Sequence, residues 1–239
     1  MGSGIETFVI HLARATGRRA QVDRLMKSTP YPSQILSAVD GARLPEAQRA
    51  DNISETQLFA PRYPFALGAG EYGCFQSHRV AWQKIVDKGL DAALILEDDV
   101  ALTDGFDAAL TLASDHVEAF GYIQFQVRNV DESFVVARSS GLSLVQPRVT
   151  PLRTSAQLVG RGAAQLLLKM TVRIDRPVDT FLQGHWHTKM PLACVVPSGV
   201  EDRTAQTGGS TISSKQSIWE KVRRDFQRRA YRRAVKRLS

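Results

Sequence analysis

The sequence has little of what would build a disulfide-stapled or membrane-spanning protein. It holds two cysteines in 239 residues, Cys74 and Cys194. That is too few for a disulfide framework, so both are expected to be reduced and at least partly buried. No apolar run approaches the roughly 20 residues of a membrane span. Phe8-Val9-Ile10-His11-Leu12 is too short for a secretory leader and runs into arginines, so a cytoplasmic location is the expectation. No internal repeat or low-complexity segment is present, which excludes solenoids and propellers. Most of the chain also lacks excess charge. The formal net charge is +7, but residues 215–239 hold ten Lys/Arg against Glu220 and Asp225. That tail carries +8 and leaves the body at −1. A body without basic excess is not expected to bind nucleic acid.

What is present suits one globular domain, 1–214, with a basic tail, 215–239; 43% of the residues are hydrophobic. Strands are expected at 8–12, 34–39, 92–96, 122–127, 134–137, 142–145, 156–159 and 193–196. Helices are expected at 14–26, 73–88, 106–112 and 161–170, the last with Leu166 and Met170 on one face. The stretch 42–67, with Pro45, Pro61 and Pro64, reads as a long loop or short helices. Strands alternating with helices, then a strand-rich second half, predict an α/β protein with a mixed sheet. In the tail, Ile218, Val222, Phe226, Ala230, Ala234 and Leu238 recur every four residues, with Trp219, Tyr231 and Val235 alongside and arginines between them. This predicts a basic amphipathic helix suited to an anionic membrane surface, or else a solvated helix or a docking face for an acidic protein.

The most informative stretch is Leu94-Ile95-Leu96-Glu97-Asp98-Asp99-Val100, an apolar strand ending in three carboxylates. Like charges packed together repel, and burying them without a partner is expensive. Hard divalent cations such as Mg²⁺ and Mn²⁺ take oxygen ligands of this kind, often against phosphates. If the strand continued, Glu97 and Asp99 would share one face and Asp98 would take the other. The metal ligands expected are therefore Glu97 and Asp99. The plainer reading is a solvated turn, with Asp98 or Asp99 capping the next helix.

The surroundings sharpen this reading. Gly70-Glu71-Tyr72-Gly73-Cys74-Phe75-Gln76-Ser77-His78, then Ala81-Trp82, then Leu94 to Val100, resemble glycosyltransferase family 25. The resemblance extends to Val9 to Arg14 with Arg18-Arg19, to Ala38-Val39-Asp40-Gly41, to Arg161 to Leu167, to Pro177-Val178-Asp179, and to Val196-Pro197 with Ser210-Thr211-Ile212. His11, Gly17 and Gln157 to Gly160 depart from the family pattern. The resemblance implies a GT-A-like fold, a UDP-sugar donor and inversion at the anomeric carbon. It also implies a hexose, galactose first, passed to a lipopolysaccharide-type or lipid-linked glycan.

By the same resemblance, Ile10, His11, Leu12, Arg14, Arg18 and Asp40 would lie near the nucleotide. Gly70 and Gly73 would allow a tight loop at the donor site. Glu71 would bind a sugar hydroxyl or cap a helix. Ser77 and His78 belong to the same motif, with a capping or core role open for His78. Glu97 and Asp98 would also serve the donor. Asp179 would be the general base, or a helix N-cap after Pro177. His185 and His187, two apart, suit a strand or loop, where either could ligate a metal or line an acceptor site. Trp186 would stack on a sugar or pack. A different donor, a UDP-N-acetylhexosamine or UDP-uronic acid, and a catalytically silent membrane adaptor remain the alternatives.

Overall fold

The computed structural model describes residues 4–130, 133–204 and 218–239. Ten strands and nine α-helices follow one another along these residues. They begin with β1 (Ile5–His11), α1 (Arg19–Ser28), β2 (Ser33–Ser37), α2 (Glu46–Ala50), α3 (Ala69–Asp87), β3 (Ala92–Glu97) and β4 (Val100–Leu102). Then come α4 (Phe106–Ser114), α5 (Val117–Phe120), β5 (Tyr122–Phe125), β6 (Ser133–Ser139), β7 (Leu142–Pro147), β8 (Ala156–Gly160) and α6 (Arg161–Met170). The chain ends with α7 (Val178–Leu182), α8 (His185–Thr188), β9 (Leu192–Val196), β10 (Val200–Asp202) and α9 (Ile218–Leu238).

Eight strands form one sheet in the order β2-β1-β3-β8-β5-β9-β7-β6, and β4 pairs with β10 apart from it. β1 runs parallel to both β2 and β3, whereas β8 is antiparallel to β3 and to β5. The sheet is therefore mixed, with helices on both faces, as the sequence predicts. Two apolar clusters follow the two-residue alternation of the strands. Phe8, Ile10, Ala93 and Ile95 pack with α3 and α6 on one face. Val9, Leu94 and Leu96 pack with Val22 and Leu25 of α1 and Phe106 and Leu110 of α4 on the other. Being covered on both faces explains why Ala92 to Leu96 is apolar at every position.

Several boundaries move. β1 starts at Ile5, where it pairs with Ala92. α3 starts at Ala69 rather than Gly73. The Glu71 carboxylate accepts the Gly68 N–H at 2.8 Å and caps the first turn. Gly70 and Gly73 therefore lie inside a helix and not in a tight loop. At Gly73 a Cβ would stand 2.4 Å from the Val39 carbonyl oxygen and 2.8 Å from the Gly41 nitrogen. The glycine is required because the β2–α2 connection passes directly over the helix. The α6 face that is fully buried is Ala163, Ala164 and Leu167, with Leu166 and Met170 only half-buried. His185 and His187 sit in the short helix α8, not in a strand or loop. Cys74 and Cys194 are free thiols, the first half-buried and the second buried, as expected.

The tail forms one helix, α9, and its inner face is docked on the body. Val235 is buried, the Tyr231 ring meets Tyr63 edge-on at 5.6 Å, and Arg224 lies 4.6 Å over Phe65. The fully buried guanidinium of Arg176 ties the layers together. It donates to the Phe59 carbonyl at 2.7 Å and to the Tyr231 hydroxyl at 3.3 Å, and pairs with Asp175 at 2.8 Å. Ser210, Thr211 and Ile212, the boundary at 214, and the side chains of Ile218, Trp219 and Val222 lie outside the described residues. Among the described residues no helix is long and apolar enough to cross a membrane.

Candidate functional site

A cleft of about 550 Å³ opens at the carboxyl ends of β1 and β3, the position where open α/β sheets bind ligands. The sequence-predicted residues Ile10, Leu12, Arg14, Arg18, Asp40, Gly70, Glu71, Ser77 and His78 line it. So do Glu97, Asp98, Asp99 and Asp179. His11 does not line it. His11 is buried, and its Nδ1 lies 2.7 Å from Asp98 Oδ2.

The three acids of the triplet have three different situations. β3 ends at Glu97, so strand alternation does not extend through Asp98 and Asp99. All three reach the cleft. Asp98 is saturated, with Oδ2 on His11 and Oδ1 receiving Arg18 at 2.6 Å. In Glu97 a single oxygen takes every bond. Oε1 lies 3.2 Å from His78 Nε2 and accepts the Thr154 hydroxyl at 2.9 Å. Asp99 Oδ2 accepts the Thr204 hydroxyl at 3.0 Å and lies 3.8 Å from Arg18. Among the described residues, Glu97 Oε2 and Asp99 Oδ1 accept no hydrogen bond. Two cleft-lining residues, two apart in the chain, thus each keep one carboxylate oxygen without a hydrogen bond among the described residues.

Electrostatics point the same way. Burial, reinforced by the Glu97 charge, raises the Asp99 carboxyl to about 6. Burial also opposes ionisation of Glu97, but the bonds from His78 and Thr154 outweigh it and hold Glu97 below its usual range. Six carboxylates line the cleft against the arginines Arg14, Arg18 and Arg153. An acid kept partly protonated beside an ionised one is a pair short of positive charge. A hard divalent cation on Glu97 and Asp99 fits that donor set. His185 and His187 do not line the cleft. His187 stacks on Phe59 at 4.3 Å between centroids, Trp186 donates to the Ala60 carbonyl, and the His185 ring meets that of Trp186 edge-on at 5.3 Å.

Asp179 faces the cleft from the first turn of α7. Pro177, not Asp179, occupies the N-cap. Burial raises the Asp179 carboxyl, partly offset by the N–H groups of Arg153 at 3.2 Å and Thr180 at 2.7 Å. At the mouth, Arg14 donates to Asp40 at 2.7 Å and holds that carboxyl below its usual range. Ser77 accepts the Val39 N–H at 2.8 Å, clamping the connection over α3. The sequence reading missed Tyr63, Arg153, Thr154 and Thr204, all on the cleft wall. Arg153 holds φ at 82°, a left-handed conformation uncommon for a side-chain-bearing residue and often found at functional sites. No local pattern marks a threonine as a partner for an acid some 57 or 105 residues away.

Fold and cleft together define an α/β protein with an acidic, cation-suited site at the ends of parallel strands. The sequence profile of glycosyltransferase family 25 (LPS biosynthesis protein) matches residues 5–182. The chain belongs to that family. It is 31% identical over 189 residues to procollagen galactosyltransferase 1 of Danio rerio, covering 74% of this chain and 30% of that protein. It is 30% identical over 186 residues to inactive glycosyltransferase 25 family member 3 of Homo sapiens, covering 74% and 31%. The chain thus spans about a third of the length of these relatives. A solved glycosyltransferase involved in glycosylating the major capsid of PBCV-1 superposes with a TM-score of 0.36 at 12% identity, over 68% of this chain and 63% of that one.

Proposed function

We propose that the protein is an inverting, metal-dependent hexosyltransferase with a GT-A-like fold. Its donor would be a UDP-sugar, UDP-galactose first, and its acceptor a lipopolysaccharide-type or lipid-linked glycan. The observation that carries this reading is the pair Glu97 and Asp99, each with one oxygen that accepts no hydrogen bond among the described residues, in a cleft that Arg18 and Asp179 also line. Glu97 and Asp99 would hold Mn²⁺ or Mg²⁺, which when bound neutralises the charge of a diphosphate leaving group. Arg18, with Asp98 orienting it, adds fixed positive charge to the same side. Asp179 takes the proton of the acceptor hydroxyl as its oxygen bonds to the anomeric carbon and the bond to the diphosphate breaks. Burial suits Asp179 to this role by making its carboxylate a better base. The family and the galactosyltransferase relatives support the sugar chemistry.

The outward face of α9 supports a peripheral place on the cytoplasmic membrane face. Phe226 is 73% exposed there, among Arg223, Arg229 and Arg233.

UDP release from a panel of UDP-sugars, with and without chelator, tests the reading. Release from UDP-galactose that is lost in Asp99→Ala, and falls at least about a hundredfold in Asp179→Asn, is the expected result. Turnover undiminished in excess chelator would remove the metal, and preference for a UDP-N-acetylhexosamine or UDP-uronic acid would reassign the donor. A silent adaptor is the second reading, favoured by the relative whose name marks it inactive. Failure of the chain to bind UDP or Mn²⁺ in calorimetry would establish it.

A further inference from the structure

Beneath the cleft floor, buried side chains form a line of hydrogen bonds whose polarity is set from one end. The Thr154 backbone carbonyl can only accept. The Gln157 atom 3.0 Å from it is therefore the amide nitrogen, and the Gln157 oxygen receives the Tyr122 hydroxyl. That same nitrogen lies 3.2 Å from His78 Nδ1. An amide N–H can approach a ring nitrogen this way only if the nitrogen offers a lone pair. The ring proton is thus on Nε2, aimed at Glu97 Oε1 3.2 Å away. Tyr122, Gln157 and His78 are at most 1% exposed, so each donor must find its partner within the protein.

We propose that Gln157 is a positioning residue: it locks His78 as the Nε2–H tautomer, so that His78 holds Glu97 Oε1 and leaves Oε2 alone facing the cleft. Tyr122 stands behind it, fixing the amide's orientation. The proposal rests on the reading of Glu97 as a cation ligand and adds how that ligand is aimed. It also decides between two donor sets. Ligand atoms of Cys74, His78 and Glu97 come within 4.8 Å of one another, a spacing that would suit a soft metal ion. With its proton on Nε2, His78 has no lone pair to offer on that side. The cation belongs on the outer oxygens of Glu97 and Asp99, and His78 is their support. Partners that orient metal ligands in this way commonly contribute about 10- to 100-fold to affinity.

Long-range ¹H–¹⁵N spectra of the full chain labelled with ¹⁵N-histidine read the tautomer with no cation present. His78 is identified by the signals missing in His78→Gln. The expected wild-type spectrum shows Nε2 protonated and Nδ1 bare. In Gln157→Glu, a change of one atom, a carboxylate faces Nδ1, and Nδ1 carries a proton instead of accepting a hydrogen bond. Mn²⁺ affinity of that variant, measured by titration, falls about 10-fold. His78→Gln returns an amide donor to the place of Nε2–H and binds Mn²⁺ close to the wild type, whereas His78→Leu does not. A wild-type His78 protonated on Nδ1, or an Nδ1 still bare in Gln157→Glu, overturns the proposal even if Gln157→Glu binds Mn²⁺ weakly. Absence of Mn²⁺ binding by the wild type would instead overturn the cation reading, so the two fail separately.

Discussion

Asp98 and Asp99 are adjacent, both acidic, and opposite in what they do to the fold. Asp98 is buried between His11 and Arg18. Removing one member of a buried ion pair costs about 3–5 kcal/mol, and here Arg18 would keep only weaker contacts such as that to Asp99 at 3.8 Å. Asp98→Ala is therefore expected to lower the urea midpoint sharply. Asp99 works against the fold. Its carboxyl titrates at about 6 in the folded chain against 3.8 for the free side chain. A raised acid costs nothing below the unfolded value, and its penalty grows as pH rises through the folded one. Without added cation, Asp99→Asn should raise Tm by a few degrees near about pH 8 and converge on the wild type near about pH 4. Mn²⁺ should raise the wild-type Tm and not that of the variant. A variant less stable than the wild type at both pH values would contradict this account.

At the scale of elements, the cleft depends on how closely α3 approaches the connection after β2. Gly73 and Gly41 meet there: a Cβ on Gly41 would stand 1.9 Å from the Ala69 carbonyl oxygen. The atoms in the way are backbone, which cannot swing aside as a side chain end does. Gly73→Ala should destabilise by about 2 kcal/mol or more, read as a lower urea midpoint, and displace Asp40 from Arg14. The same junction shows what the sequence could reveal. The β3 strand and the α6 helix were legible, because an apolar run and a helical period are local signals, whereas the gathering of Arg18, Asp40, Glu71 and His78 around the acids was legible only through the family resemblance. The start of α3 was not, because Gly70 and Gly73 read as loop residues until a neighbouring backbone explains them. The roles of His11, Thr154, Thr204 and Gln157 were not legible either. Each is defined by a partner on another strand or loop. His185 and His187 were expected on a strand or loop and lie in α8, since a spacing of two does not by itself exclude a short helix.

At the scale of the whole molecule, α9 has two faces of different character. The inner one, through Tyr231 and Val235, is part of the fold and abuts Tyr63 on the cleft wall. The outer one carries Phe226 and a field of arginines. Deleting the tail would remove both at once and strand the buried Arg176 without Tyr231. Phe226→Glu changes only the outer face. It is expected to abolish co-sedimentation of the full chain with anionic liposomes while leaving Tm and UDP-sugar turnover in solution as they were. Undiminished co-sedimentation would assign α9 to the fold alone.

In water the two oxygens of a carboxylate are equivalent, and a glutamate at a strand end samples both. In Glu97 the fold has broken that symmetry. Oε1 is held by His78 and Thr154, and among the described residues Oε2 accepts no hydrogen bond. The loss of rotational freedom that a binding event would otherwise impose on this side chain takes place when the chain folds. The site meets its ligand with one defined direction of approach already chosen.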